Sequence, residues 1–262
     1  MRDYIVRLVV AVSLACLSYT TSIAENTKDA NVGVLLPLSG ALAEMGVSFR
    51  RGVELWLADH PNSKVSFLYE DHKYEGKAVV TGLHSLRGNS DIQMAIVWGN
   101  APAGAAAPVA EQQKIPTLVI SSNPDAKGRR FVASLGPPIN IVVDKIVEHA
   151  HVAGIKKLGA VTIDMGNAVE VIDRVGQKHV GGVFTKVVSN EEVDFKPVIN
   201  QLKSRDIDGI VLFLIPQQAL TFLRQAKQMQ YSPSIVGGDV FAVESFQRSA
   251  AQLTPKINFG YG

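Results

Sequence analysis

Cysteine is almost absent: Cys16 is the only one among 262 residues. Disulfides therefore cannot staple the fold, and thiolate metal sites are excluded. Charge imbalance is absent too, because the formal net charge is +2, with no basic run and no acidic tail. That removes nucleic acid as an expected partner. Neither G-x-G-x-x-G nor G-x-x-x-x-G-K-[ST] occurs, so dinucleotide and phosphate-loop chemistry have no support. G-x-S-x-G is also missing, and with it the hydrolase nucleophile elbow. Histidines are few: His60, His72, His84, His149, His151 and His179. Only His149 and His151 are close in sequence, and two apart on a helix they face different ways. No metal and no cofactor is expected. Glu70-Asp71-His72 ends an apolar run, where a ligand contact or a cap is the ordinary role of such carboxylates.

Long apolar runs are confined to the beginning. Met1 to Arg7 is a short positive start, Leu8–Leu17 (LVVAVSLACL) is apolar, and Ser22-Ile23-Ala24 offers small residues to a signal peptidase. This is the pattern of a secretory signal over residues 1–24, too short for a span of ~20 residues. Two readings of Cys16 stand, an ordinary signal residue or a lipid-attachment cysteine after Ala15. Cleavage after Ala24 removes Arg2, Arg7 and Asp3 and lowers the +2 charge by one. The exported chain must then hold together by core burial alone.

With 47% apolar residues a packed core is expected. Apolar β-rich runs recur at Val32–Leu36, Val65–Tyr69, Ile92–Trp98 and Pro116–Ile120. A second series follows at Leu158–Ile163, Val183–Val188, Gly209–Leu214 and Ser234–Val236. Several are apolar throughout, as strands covered on both faces are. Helical spacing separates them. Met45, Phe49, Val53 and Trp56 make one stripe, Gly154 caps a helix running from about Ile139, and Asp194 caps one with Pro197 in its first turn. The alternation predicts an α/β chain of two doubly wound lobes with parallel sheets, at 25–136 and 137–255. The extended piece at 131–138, ending in Pro137-Pro138, reads as a crossover between them. Ligands collect at the carboxyl ends of such strands.

The stretch at 32–46, VGVLLPLSGALAEMG, places a Ser-Gly pair where a strand turns into a helix. Two readings remain for it. Ser39 is an N-cap, or free N–H groups and the hydroxyl receive a ligand carboxylate or carbonyl.

These residues resemble the type I periplasmic substrate-binding proteins of ABC transporters, the Leu/Ile/Val-binding family. The resemblance runs from about Val32 to Gly262. Its most specific piece is VGVLLPLSGALAEMGVSFRRGVELWLAD; Tyr69-Glu70-Asp71, Asp194-Phe195, Asp208-Gly209 and Leu223-Arg224-Gln225-Ala226 support it in order and spacing. The resemblance implies two Rossmann-like lobes joined by three crossovers, a small solute clamped between them, and docking of the closed form on a membrane permease. It implies no catalysis, a monomer, and a periplasmic location. The family's chains continue further, so residues 256–262 are expected to begin a return to the first lobe.

The departures shape the expected site. The loop after the third strand, 98–104, carries Asn100 as its only polar side chain where the family supplies hydroxyls. Ser121 and Ser122 keep them in the next loop. Asp164-Met165-Gly166-Asn167 stands where the family has an aromatic residue. The acidic residue that receives a ligand ammonium falls at Gln218, with Gln217 one position away, and glutamine cannot neutralise a charge. An amino acid, an amide, an organic acid or an aromatic molecule remains open, with Trp98 either a stacking face or lobe core. The expected contacts are Ser39, Asn100, Ser121, Ser122, Asp164, Gln218 and Asp239, the last either a contact or a turn carboxylate. Ser39, Ser121 and Gln218 are expected to share one hollow. The alternatives are a sensor of the same fold, a shortened form that binds nothing, and an exported enzyme.

Overall fold

A computed structural model of the chain describes residues 30–123, 125–164, 166–179, 181–238, 241, 244–254 and 257–259. The first lobe alternates β1 (Ala30–Leu36), α1 (Ala43–Asp59), β2 (Val65–Asp71), α2 (Gly76–Ser90), β3 (Met94–Trp98), α3 (Asn100–Gln113), β4 (Thr117–Ile120) and β5 (Val132–Leu135). The second contains α4 (Ile139–Val152), β6 (Leu158–Ile163), α5 (Ala168–Lys178), β7 (Val183–Val188), α6 (Lys196–Ser204), β8 (Gly209–Phe213), α7 (Pro216–Gln228), β9 (Ser234–Gly237), α8 (Glu244–Ala251) and β10 (Ile257–Phe259). Among the described residues no helix is long and apolar enough to cross a membrane. The signal expected over residues 1–24 lies outside the described residues.

Among the described residues two five-stranded sheets result, ordered β2-β1-β3-β4-β5 and β10-β9-β8-β6-β7. All pairings are parallel. The second order, read from its other end, repeats the first. In each lobe the order reverses beside the first strand, which opens a crevice at the strand carboxyl ends. One expectation shifts here. The piece at 131–138 is not all crossover, because Val132–Leu135 pairs with β4 as an edge strand. In the second lobe Ile257–Phe259 adds beside β9 in the same way. The physical reason is the same in both lobes: an edge strand offers unpaired N–H and C=O groups to the next extended segment.

Burial follows the apolar runs. One face of the first sheet is closed by α2 and α3, through Leu83, Leu86, Ala106 and Ala110 against Leu35, Val97 and Val119. The other face carries α1, whose one buried residue is Gly46. A Cβ at Gly46 would collide with the Pro37 carbonyl, so glycine allows the helix to start tight against the strand end. In the second lobe α4 and α5 pack through Val143, Ile146, Val171 and Val175 on one face. Phe195, Ile199, Phe222 and Phe246 fill the other. Phe195 and Phe222 meet edge to face at 5.7 Å, a geometry worth about 0.5–1.5 kcal/mol beyond area burial. Leu42, from the first lobe, is buried in this second-lobe cluster, and Met45, Tyr74 and Trp98 pack against it. Trp98 also packs on Val32, Val34 and Leu36.

Candidate functional site at the interlobe rim

The turn after β1 does not cap α1. That helix begins at Ala43, with Leu42 at its N-cap position, because Gly40 takes a left-handed φ of 82° and lengthens the turn. Ser39 is three residues too early to be the cap. Its hydroxyl donates instead to Asp71 Oδ2 at 2.5 Å. Asp71 Oδ1 accepts from the N–H groups of Leu38 at 2.9 Å, Ser39 at 3.3 Å and Lys73 at 3.0 Å. The carboxylate awaited from a ligand is thus supplied by the chain, from the end of the neighbouring strand. Burial works against ionisation of Asp71, but the bonds from Ser39, Lys73 and Leu38 outweigh it and hold the carboxyl below its ordinary value.

Asp71 also organises the segment after it. Lys73 and Tyr74 adopt positive φ, 49° and 67°, a conformation costly for residues with a side chain. The Tyr74 N–H donates to His72 Nδ1 at 3.0 Å, and His72 is buried, which lowers its pKa. Tyr74 meets the Trp98 ring at 6.1 Å, and its hydroxyl oxygen accepts the Asn100 N–H at 3.2 Å. Gly99, at φ 105°, lies where a Cβ would strike the Tyr74 ring, so only glycine fits. Burial pushes the Tyr74 phenol up to about 12, so it keeps its proton at neutral pH.

Asn100, Ser121 and Ser122 come together as expected. Asn100 Oδ1 accepts from the Ser122 N–H at 2.8 Å and lies 3.1 Å from the Ser121 hydroxyl. That hydroxyl has a nearer acceptor in Asp125 Oδ2 at 2.6 Å, and itself receives the Asn123 N–H at 3.0 Å. Asn123 was not anticipated. Its Nδ2 reaches the Gly166 carbonyl of the second lobe at 3.4 Å, while its buried Oδ1 has no partner. Gly166 also packs against Ala101, so the lobes touch here. Asp164 is exposed, and its Oδ1 accepts the Gly166 N–H at 3.0 Å.

Gln218 is placed differently. It is 6% exposed and its Nε2 faces the carbonyls of Ser189, Asn190 and Glu192 at 3.1–3.2 Å. Its amide donor ties down the loop after β7. Asp239 lies outside the described residues.

Two hollows lie between the lobes. One, of about 270 Å³, is lined by Leu42, Lys73 and Tyr74 from the first lobe and by Ile163, Asn190 and Ile215 from the second. The other, of about 310 Å³, is lined by Ser121, Ser122 and Asn123, by Asn140 of the crossover region, and by Glu170. Neither of these hollows takes in Ser39, Ser121 and Gln218 together. Asp71 and the loop at 189–192 absorb two of the three. A larger groove of about 730 Å³ holds Asp164, Asn167 and Asp173. Its lining comes from the second lobe and Asn140, so closure of the lobes does not enclose it.

Comparison with known proteins agrees with this layout. A family profile described as "Periplasmic binding protein" matches residues 29–253. The Leu/Ile/Val-binding protein homolog 6 of Brucella abortus (strain 2308) is 24% identical over 214 residues, covering 73% of this chain and 52% of that protein. Its counterpart in Brucella suis biovar 1 is 24% identical over 206 residues, covering 70% and 50%. The chain thus spans about half the length of the curated relatives it matches. Among solved structures, a leucine-binding protein LivK from Thermotoga maritima has TM-score 0.79 at 20% identity, covering 86% of this chain and 67% of that one. The branched-chain amino acid binding protein LivJ from Streptococcus pneumoniae, in complex with isoleucine, has TM-score 0.77 at 21% identity, covering 88% and 70%. A solute-binding protein from Rhodopseudomonas palustris BisB5, in complex with 3,4-dihydroxybenzoic acid, has TM-score 0.71 at 20% identity, covering 81% and 62%.

Proposed function

Because the chain belongs to the periplasmic binding protein family, we propose that it captures a small polar solute between its lobes and hands it unchanged to an ABC importer. The observation that carries this reading is the 310 Å³ hollow lined from both lobes, with the unpartnered Asn123 Oδ1 beside it. A buried acceptor without a partner costs about 1–3 kcal/mol, and a ligand donor offsets it. An ammonium or amide N–H suits that position, with Glu170 facing it from the second lobe.

Ser121, Ser122 and Asn123 form the first-lobe face of this site, with Asn100 bonded behind them, and Glu170 forms its second-lobe border; Asp164 lines the neighbouring groove. Ser39 is held by Asp71, and Gln218 donates to the loop at 189–192 while its buried Oε1 keeps no partner. The second hollow, between Tyr74, Ile163 and Ile215, suits an apolar moiety. The proposed ligand is accordingly an amino acid or a related amide or acid of similar size. Closure stabilises the bound state because the solute touches both lobes only when they meet. Export through residues 1–24, with cleavage near Ala24, places the protein in the periplasm, and a membrane permease is its partner.

The test is a thermal-shift screen of the chain from Glu25 onward against amino acids, amides, short-chain acids and aromatic acids. A solute at a hundred times its Kd adds ~2.7 kcal/mol of stability. Asn123→Ala is expected to abolish the shift. A flat response across the panel from protein shown to be folded overturns the reading.

A further inference from the structure

The second lobe brings together two histidines that the sequence keeps far apart. His151 lies in the last turn of α4, and His179 is the residue on which α5 ends. These helices lead into β6 and β7, so the pair sits at the strand amino ends, opposite the interlobe rim. His151 Nε2 and His179 Nδ1 are 3.1 Å apart, and the rings lie 5.2 Å apart with a 32° tilt.

The geometry around the pair favours a cation. Two helix carboxyl ends converge on it, each carrying partial negative charge. His179 is buried, and its Nε2 faces the Lys156 carbonyl at 3.0 Å. That contact fixes a proton on Nε2 and leaves the Nδ1 lone pair turned towards His151. A carbonyl that accepts from one imidazole nitrogen, and so orients the ring, is the usual support for a histidine that ligates metal through the other. Two nitrogens bound to one tetrahedral zinc at ~2.0–2.1 Å stand about 3.3 Å apart, so a small ring movement converts the contact into a chelate. Beside His151 a groove of about 460 Å³, shared with Glu148 and Lys178, has room for water. The charges around it are engaged elsewhere, Glu148 with Lys145 and Lys178 with Asp144.

We propose that His151 and His179 form a two-imidazole site for a borderline transition-metal dication, independent of the solute site. Among the described residues no group of three or more His, Cys, Asp or Glu is arranged around a metal position, so water completes the coordination. Binding moves the His151 proton from Nε2 to Nδ1, both nitrogens of the pair then donate lone pairs, and no net proton is released from the neutral pair. Imidazole ligands select Zn²⁺ or Cu²⁺ over Mg²⁺ and Ca²⁺.

The experiment uses tag-free protein, dialysed against chelator and titrated by calorimetry with ZnCl₂, CuCl₂ or MgCl₂. One equivalent of Zn²⁺ or Cu²⁺ is expected to bind and Mg²⁺ none, with nitrogen coupling in the copper EPR spectrum. His151 is exposed, so His151→Ala should fold, verified by circular dichroism. It is expected to weaken binding by about tenfold or more, since even outer-shell losses cost that much. His149→Ala, on another face of α4, should leave binding unchanged. No uptake by folded wild-type protein, or uptake equal in wild type and His151→Ala, overturns the proposal.

Discussion

The two rims of the cleft are held by different chemistry. In the first lobe a carboxylate gathers the ends of two strands, with Asp71 accepting from Ser39, Leu38 and Lys73. In the second lobe a neutral amide does the equivalent work, as Gln218 donates towards three carbonyls of the loop after β7. Acceptors need a donor, and backbone N–H groups need an acceptor, so each rim recruits the side chain its exposed backbone lacks. The consequence is unequal sensitivity to pH at these two points: the Asp71 tie is ionisable and the Gln218 tie is not.

The largest expected effect comes from giving the second rim a charge. Gln218→Glu points a buried carboxylate at three carbonyl oxygens, and a buried charge with no partner costs about 3–5 kcal/mol. The denaturant midpoint should fall accordingly, and Gln218→Leu should fall less. A midpoint unchanged in Gln218→Glu would mean that the amide is not a tie.

A smaller effect is expected in the first rim. Asp71→Asn removes charge-assisted acceptance, at about 1–2 kcal/mol for a half-exposed site. Its pH signature separates the rims. The Asp71 pKa is lowered in the fold, so its contribution is present above the unfolded carboxyl value of about 3.9 and is lost as pH falls through the folded value. Wild type should lose more stability than Asp71→Asn on acidification below that point. Parallel acid limbs in the two proteins would contradict the assignment.

The smallest effect is expected outside both rims. Arg174 meets Asp144 through Nε and Nη2 in a two-pronged pair. Arg174→Lys keeps the charge and loses the fork, and the loss of stability is expected to be slight. Urea titration at two salt concentrations checks it, with the difference shrinking at high salt.

The sequence carried the architecture well and the rim only partly. Val32–Leu36 and Leu158–Ile163 read as buried strands because nearly every side chain in them is apolar, and a parallel strand covered on both faces has no polar side to show. Gly154 marked the end of α4 through its left-handed φ of 75°, as a local rule foresees. Asn100, Ser121 and Ser122 were legible as polar side chains in loops after strands. The N-cap reading of Ser39 missed its partner because Asp71 is 32 residues away and joins it only once β1 and β2 pair in register. The tie made by Gln218 was illegible for the same reason, since the three carbonyls it serves belong to a loop with no side-chain signature. His151 and His179 are 28 residues apart and were weighed only against neighbours in sequence. The type and spacing of residues report local geometry; partners brought in by sheet pairing leave no such trace.

On the proposed function, the repeated strand order makes the choice of solute divisible. Each half carries its own crevice at the reversal beside β1 or β6. Retuning what is held would then fall to the loops of one half, while the other goes on serving as an indifferent jaw.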